Sequence, residues 1–443
     1  MSRRRKAIPR EPVEAHITSL SHEGRGIAHI NGKTTFVRGA LPDETVMFQY
    51  SNRRGQFDEG IVTEVLTPSA KRIDAKCAVF GICGGCSMQM LPESDQIAHK
   101  HTVLQELFAK ENLTPDTWLP PLQQGTWGYR SKARLGVRYV PKKGGALVGF
   151  RELNGRFLTD MQHCKVLHPL LGDNIQVLRD WLATLDIKDQ IPQLEVAVDD
   201  QRAAFIVRHL APLSDADQQR IIAFAKQHDI WMYLQPKGPD TIHKLWPVDE
   251  ALMTYALPQY DLTMAFHPAD FTQVNVPLNR AMLDLALTHL QVNPTDRVLD
   301  LFCGLGNFSL PLARHAREVV GVEGDQAMTD RAGMNAQHNG ITNTEFFAAD
   351  LFQDVAKTPW FAYEYDRLLL DPPRAGAQEI IRALKDKAIA RIVYISCNPA
   401  TLARDAAILV HEQGYQLEAA GVMDMFPQTS HVESIAVFTL SSE

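Results

Sequence analysis

The chain has 443 residues, 45% hydrophobic and 22% charged, with a formal net charge of −7. That length is too great for one hydrophobic core, so two to three domains are expected. The composition is that of a soluble protein, and no apolar run approaches the ~20 residues that span a bilayer, so no membrane association is expected.

The first segment, residues 1–10, is a basic tail holding Arg3, Arg4, Arg5, Lys6 and Arg10 with no acid among them. No apolar stretch follows it, so a secretory leader is not expected and the chain reads as cytoplasmic. In that compartment the six cysteines are better explained as free thiols or metal ligands than as disulfides. Further basic residues gather at Arg53-Arg54 and at Arg130, Lys132, Arg134, Arg138, Lys142 and Lys143. The negative total therefore does not exclude a nucleic-acid partner, since basic residues can be segregated on one face. A solvated basic face kept for solubility is the alternative.

Residues 11–69 carry short strand patterns at Val13–Thr18, Lys33–Val37, Thr45–Tyr50 and Gly60–Leu66. Asn31-Gly32 between two of them is a two-residue hairpin signal. Many short strands in so few residues suggest a small, OB-like β-barrel.

Residues 70–265 read as a central α+β domain. It opens on a Gly-rich loop with Cys77, Cys83 and Cys86, and Cys164 follows much later. Four soft ligands fit either zinc or an iron–sulfur cluster. The spacing is untypical of a zinc knuckle, which has two CxxC pairs, and it favours a four-iron cluster. A helix is expected at 97–110, a strand with a basic face at 132–140, a helix at 170–185, strands at 194–198 and 203–207, and a helix at 215–227. The topology of this domain is not readable from the pattern.

Residues 266–443 change character. A helix over 278–290 precedes a very apolar strand at 298–302, and strands at 319–322, 345–347, 367–370, 392–396, 417–422 and 435–438 follow, with a helix at 326–338. Strands buried on both faces and alternating with helices imply a mostly parallel, Rossmann-like sheet.

The first strand of that domain leads into VLDLFCGLGNFSL. Gly304 and Gly306 permit a tight turn and close approach to a ligand, with a helix expected to start near Asn307 or Phe308. The spacing is not GxGxxG, and Asp300 at the strand end suits a ligand carrying an amine better than one carrying a pyrophosphate. Glu323 ends the next strand, where an acid commonly accepts from ribose hydroxyls. Asp350, after the third, is placed to reach an adenine amino group. Together they describe an S-adenosylmethionine pocket; a nicotinamide enzyme or an inert open sheet is the alternative. Asp371 lies in the stiff sequence DPPRAG, and Cys397 follows the strand at 392–396 among Ser396, Asn398 and Pro399. A buried, inert role is the ordinary fate of a lone cysteine, but these neighbours are not core residues. Cys303, beside Phe302, reads as a packing residue.

The ordered set FTQVN at 271–275, DLFCGLGNFSL from Asp300, DPPRAG from Asp371, SCNPATLARD from Ser396 and HVES from His431 resembles the bacterial RNA uracil-5-methyltransferase family. The resemblance runs over essentially the whole chain. It implies Cys397 as nucleophile, Glu433 as base and Gln273 as a contact to both substrate and cofactor. It implies a pocket for S-adenosylmethionine formed with Asp300, Phe302, Gly304, Gly306, Asn307, Glu323, Asp350 and Asp371. It also implies a [4Fe–4S] cluster on Cys77, Cys83, Cys86 and Cys164, and a TRAM domain for the N-terminal barrel. Phe271, Arg130, Lys132, Arg134 and Arg374 are the candidate substrate contacts. A chain with both barrel and cysteine loop resembles the branch acting on 23S ribosomal RNA, with uridine 1939 the implied target and a monomer the expected state. The alternatives are a different uridine in rRNA or tRNA, a non-catalytic RNA-binding ribosome-assembly factor on the same fold, or a redox sensor using the cysteine loop.

The chemistry fits the residues. Uracil C5 is a poor nucleophile until a thiolate adds to C6, and a carboxylate must later remove the C5 proton so that the thiol can leave. Such a base must be flipped out of its stack to react.

Overall fold

The computed structural model describes residues 8, 9, 11–153, 155–249 and 251–440. Most of the basic tail, including Arg3, Arg4, Arg5, Lys6 and Arg10, lies outside the described residues. Contacts divide the chain into two units: Met1–Lys100 with Arg151–Thr159 and Phe426–His431, and His101–Phe150 with Asp160–Met425 and Val432–Glu443. Among the described residues no helix is long and apolar enough to cross a membrane.

The first unit is built on β1 (Val13–His16), β2 (Ser19–Leu20), β3 (Gly26–Ile30), β4 (Lys33–Arg38), β5 (Thr45–Arg53) and β6 (Asp58–Thr67), in the order β1-β5-β6-β4-β3-β2. Alternation along β5 turns Val46, Phe48 and Tyr50 inward onto Ile17, Ala28 and Val37. The hairpin expected at Asn31-Gly32 is present, both residues having positive φ (51° and 75°) between the antiparallel β3 and β4. Helix α1 (Glu93–Lys110) begins in this unit and ends in the second.

In the second unit β7 (Thr117–Trp118) is followed by β8 (Lys132–Val140), β9 (Gly145–Gly149), α2 (Pro169–Gly172), α3 (Ile175–Ala183), β10 (Gln193–Val198), β11 (Ala203–Arg208), α4 (Asp215–His228), β12 (Ile230–Gln235) and β13 (His243–Trp246). The strands β8 to β13 form one sheet, ordered β13-β12-β11-β10-β8-β9, with a single parallel pairing, β11 with β12. The single helix expected at 170–185 is two. The Gly172 carbonyl accepts the Cys164 N–H (2.9 Å) and so is not free to continue the helical ladder.

The hairpin β14 (Met253–Leu257) and β15 (Leu262–Phe266) leads to α5 (Val276–Leu290). Asn275 caps that helix: its side chain accepts from Leu278 N–H (3.2 Å), and Pro277 fits the first turn. Next come β16 (Arg297–Leu301), α6 (Ser309–Ala313), β17 (Glu318–Glu323), α7 (Gln326–His338), β18 (Thr344–Ala348), β19 (Arg367–Leu370), α8 (Gln378–Ala383), β20 (Arg391–Ser396), α9 (Pro399–Ala407), β21 (Tyr415–Met423) and β22 (Glu433–Leu440). Their sheet runs β18-β17-β16-β19-β20-β22-β21-β7. The five strands from β18 to β20 are parallel, and β22 is inserted antiparallel beside β20. The strand order reverses at β16, so a ligand crevice is expected past the carboxyl ends of β16 and β19.

The loop after β16 depends on two glycines with positive φ, Gly304 at 57° and Gly306 at 92°. A Cβ on Gly306 would stand 2.5 Å from Leu310 Cδ1 in α6. Gly306→Ala therefore combines a disfavoured φ with overpacking and should cost about 1–3 kcal/mol. A urea unfolding midpoint lowered relative to the unsubstituted chain checks it; an unchanged midpoint contradicts it.

Candidate active site

The carboxyl edge of the β16–β20 sheet gathers the chemistry. Cys397 directly follows β20. The last β20–β22 pair is Ser396 with Ser434, so the next register position sets Cys397 opposite Glu433, the first residue of β22. Glu433 is buried at 4% exposure and also pairs with Met423 of β21. Asp371 directly follows β19 and is half-buried.

Cys397 is half-buried and unbonded to another cysteine. Burial, then the charges of Glu433 and Asp371, push its thiol up to about 11, while Arg374 pulls it down. These influences place two carboxyl groups and one guanidinium around a single half-buried thiol. Cys303 differs: it is 4% exposed, its Sγ faces the Gly304 carbonyl (3.8 Å), and burial with the Asp300 charge raises it well above the ordinary thiol range. It is a packing group, as expected.

The cofactor loop is a second cluster of acids. Asp300 is fully buried; its Oδ2 accepts from Ser309 Oγ, and its Oδ1 has no hydrogen-bond partner among the described residues. Burial, against the Ser309 hydrogen bond and with the charges of Asp371 and Glu323, pushes its carboxyl up to about 8. Asp371 is pushed up to about 7 by burial and then by Glu323. An orphaned buried carboxylate oxygen fits a ligand bearing positive charge, which would restore ionisation. Glu323 Oε2 accepts the Gly304 N–H (3.0 Å), and its Oε1 accepts those of Gly324 (2.7 Å) and Asp325 (3.2 Å). Glu323 thus shapes the loop while standing at its mouth. Phe302 takes positive φ (65°), and its ring lies 5.9 Å from that of Phe352, giving the crevice an aromatic wall. Asp350 is exposed and accepts the Phe352 N–H (3.0 Å).

Asn307 is committed to the fold. Its Oδ1 accepts from Tyr255 Oη (2.9 Å) and Asn279 Nδ2 (3.1 Å), and its Nδ2 donates to Asn279 Oδ1 (2.9 Å). A small, partly open cleft lies beside this pair, lined by Ser131, Tyr255, Thr272, Gln273 and Asn279 among others. Gln273 therefore faces a cavity, while Phe271 two residues earlier is 70% exposed. Tyr255, Asn279 and Ser131 belong to none of the sequence motifs. Asn279, one helical turn after the Asn275 cap, was the only one with a positional signal.

The basic residues divide. Lys132 is largely buried; its Nζ donates to the Asp270 carbonyl and lies 4.0 Å from Glu195, and burial lowers its pKa. Arg130 Nε donates to the Lys132 carbonyl (3.0 Å), with its guanidinium over the Phe150 ring. Ser131 donates to the Val274 carbonyl through both N–H (2.8 Å) and Oγ (3.0 Å). Residues 130–132 thus brace the segment carrying Phe271 and Gln273, with Arg331 holding Asp270 (3.1 Å) from α7. Arg134 and Arg374 are exposed, Arg134 paired with Glu195 (3.2 Å).

Cys77, Cys83 and Cys86 lie in the first unit and Cys164 in the second, all free of disulfides. Cys83 is buried, accepts the Gly85 N–H (3.4 Å) and is raised by burial, with Cys77 adding to the shift. Among the described residues no three His, Cys, Asp or Glu side chains are gathered as a metal site.

A doubly covered parallel sheet, a glycine turn with acids at successive strand ends, and a thiol facing a carboxylate define a Rossmann-like methyltransferase. The family described as tRNA (Uracil-5-)-methyltransferase matches residues 248–440, and the TRAM domain matches residues 7–47. A protein of Francisella tularensis subsp. novicida named 23S rRNA (uracil(1939)-C(5))-methyltransferase RlmD is 49% identical, covering 99% of each chain. One of the same name from Hahella chejuensis is 52% identical, also over 99% of each. The solved Pyrococcus abyssi tRNA (uracil-54, C5)-methyltransferase, in complex with S-adenosyl-L-homocysteine, shares the fold with TM-score 0.74 at 21% identity, over 96% of this chain and 100% of that one. The chain belongs to the RNA uracil-5-methyltransferase family.

Asp300 and Asp371 bind protons more tightly folded than unfolded. Stability should therefore fall as pH rises from their ordinary 3.8 toward about 8. Asp300→Asn should flatten that slope in the ligand-free chain, read from urea midpoints at about pH 5 and about pH 8.5. Equal slopes in the two chains contradict it.

Proposed function

We propose that the chain methylates C5 of a uridine in 23S ribosomal RNA, by family position uridine 1939, through a covalent adduct between Cys397 and uracil C6. The observation that carries this is the half-buried Cys397 set opposite Glu433, beside Asp371 and Arg374, at one sheet edge. The names of relatives about half identical over the full length give the substrate.

S-adenosylmethionine, when bound, supplies a methyl group made electrophilic by its sulfonium. Asp300, Gly304, Gly306 and Glu323 shape its pocket, with Phe302, Asn307 and Asp350 at its margins and Gln273 facing the adjoining cleft. The Cys397 thiol gives up its proton to solvent, its Sγ forms a bond to C6, and the electron pair of the C5–C6 double bond moves onto C5 and the uracil carbonyl. C5 is then nucleophilic toward the methyl. Glu433 takes the C5 proton, the C5–C6 double bond re-forms, and the Cys397 thiolate leaves. Arg374 favours the thiolate by charge, and its exposure lets it face developing negative charge on the base. Phe271 offers an exposed ring on which a flipped or neighbouring base can stack. Arg134 reads as an RNA-backbone contact; Arg130 and Lys132 act by holding the Phe271–Gln273 segment.

The TRAM-matching sheet is proposed as an RNA-binding module in a cytoplasmic enzyme. Cys77, Cys83, Cys86 and Cys164 are proposed as ligands of a [4Fe–4S] cluster, with zinc the alternative. Four soft sulfur donors and an amide donating to the Cys83 sulfur support that set. Anaerobically purified protein should be brown, with iron and inorganic sulfide in equal amounts; colourless protein with stoichiometric zinc contradicts it.

Cys397→Ala should abolish both methyl transfer to unmodified 23S RNA and the denaturation-resistant RNA adduct. Glu433→Gln should form the adduct but release it about 10²–10⁴-fold more slowly. Turnover by Cys397→Ala, or fast release by Glu433→Gln, contradicts the assigned role, and labelled-methyl mapping identifies the uridine.

A further inference from the structure

The segment after Cys397 is bonded back onto the loop after β19 by one side chain after another. Asn398 Nδ2 donates to the Arg374 carbonyl (3.0 Å), and Thr401 Oγ1 reaches the same oxygen (3.4 Å). Arg404 Nη2 donates to the Ala375 carbonyl (2.9 Å). Asp405, fully buried, takes three donors. Its Oδ2 accepts the Ala377 N–H (2.7 Å) and the Tyr394 hydroxyl (2.6 Å), and its Oδ1 accepts Arg404 Nε (2.8 Å). Tyr394 lies on β20 three residues before Cys397. The loop is fitted closely to this anchor: a Cβ on Gly376, whose φ is 83°, would stand 2.5 Å from both Arg404 Nη2 and Asp405 Oδ2.

We infer that Asp405 is a positioning residue for the nucleophile, tying the strand that leads into Cys397 to the loop that presents Arg374. One carboxylate joins β20, α9 and Ala377, and with Asn398 and Thr401 on the Arg374 carbonyl it fixes the backbone from which the guanidinium is presented to the sulfur. A buried carboxylate with three donors is rigid, because losing any one leaves a buried polar group unsatisfied. The groups facing Cys397 are Glu433 from β22 and Asp371 and Arg374 from the loop after β19. Of these charged groups only Arg374 favours the thiolate, alongside the Cys397 backbone N–H. Loosening the lock lets it move off while the two carboxylates stay at their strand ends, so the thiol should ionise less readily.

The inference rests on Cys397 being the nucleophile, as proposed above, but its main readout needs neither RNA nor methyl donor. The full-length chain and its Asp405→Asn, Tyr394→Phe, Arg374→Ala and Asp405→Asn/Arg374→Ala variants are treated with iodoacetamide across a pH series. Alkylation of the Cys397 peptide is followed by mass spectrometry. Asp405→Asn should move the profile to more alkaline pH, Tyr394→Phe less far in the same direction, and the double variant no further than Arg374→Ala alone. Methyl-transfer kcat should fall about tenfold in Asp405→Asn with KM for the donor within about twofold, because the donor loop is untouched. An unmoved profile in folded Asp405→Asn overturns the inference, as does additivity in the double variant. If Asp405→Asn does not fold, an unmoved Tyr394→Phe profile overturns it. Failure of the unsubstituted chain to transfer methyl would remove the proposed function while leaving the alkylation result to decide the lock.

Discussion

The direction of one strand governs this site. In a parallel sheet every carboxyl end reaches the same edge, so β16, β17, β19 and β20 deliver the cofactor loop, Glu323, Asp371 and Cys397 to one rim. A further parallel strand would bring only its own last residues there. Because β22 runs antiparallel beside β20, it brings its first residue, and that residue is Glu433. Side chains alternate between faces, so a one-residue slip would turn the carboxylate to the opposite face. Pairing on both sides, with β20 and with β21, fixes that register.

The same rim concentrates negative charge. Asp300, Glu323, Asp371 and Glu433 all stand at strand ends, and several raise one another or the thiol. Burial and this repulsion favour the protonated forms of Asp300 and Asp371, which carry no negative charge. A positively charged ligand would relieve it by another route, so the crevice is electrostatically matched to a cationic donor and poorly matched to a pyrophosphate. The Cys397 thiol is disfavoured as an anion by the same field. Reactivity then depends on where the opposing guanidinium is held.

Much of this was legible in the sequence. The strand at 367–370 and the helix at 326–338 stand where their apolar patterns put them, and Asn31-Gly32 makes its hairpin because both residues tolerate positive φ. Strand ends could be read because an acid or cysteine directly after a fully apolar run has few structural reasons to be there. Pairwise commitments were not legible. Asn307, an expected ligand contact, is spent on Asn279 and Tyr255, and Lys132, an expected RNA contact, braces Asp270. The helix over 170–185 broke because the Gly172 carbonyl is taken by Cys164, which precedes the helix and has no place in its apolar periodicity. The topology of the sheet from β8 to β13, with one parallel pair among antiparallel ones, likewise depends on long-range pairing that periodicity does not encode. Asp405 illustrates the gap: a charged residue on a helix reads as solvated, yet it is buried with three donors.

The central claim is that the Cys397 sulfur bonds to C6 of a uracil whose C5 proton leaves to Glu433. The most direct measurement uses 23S RNA with 5-fluorouridine at the target, because fluorine at C5 cannot be removed as a proton. With S-adenosylmethionine present, the protein should be trapped on the RNA, with the peptide containing Cys397 carrying a methylated fluorouracil nucleotide. An adduct on any other residue, or methyl transfer that proceeds with no adduct, would contradict the account.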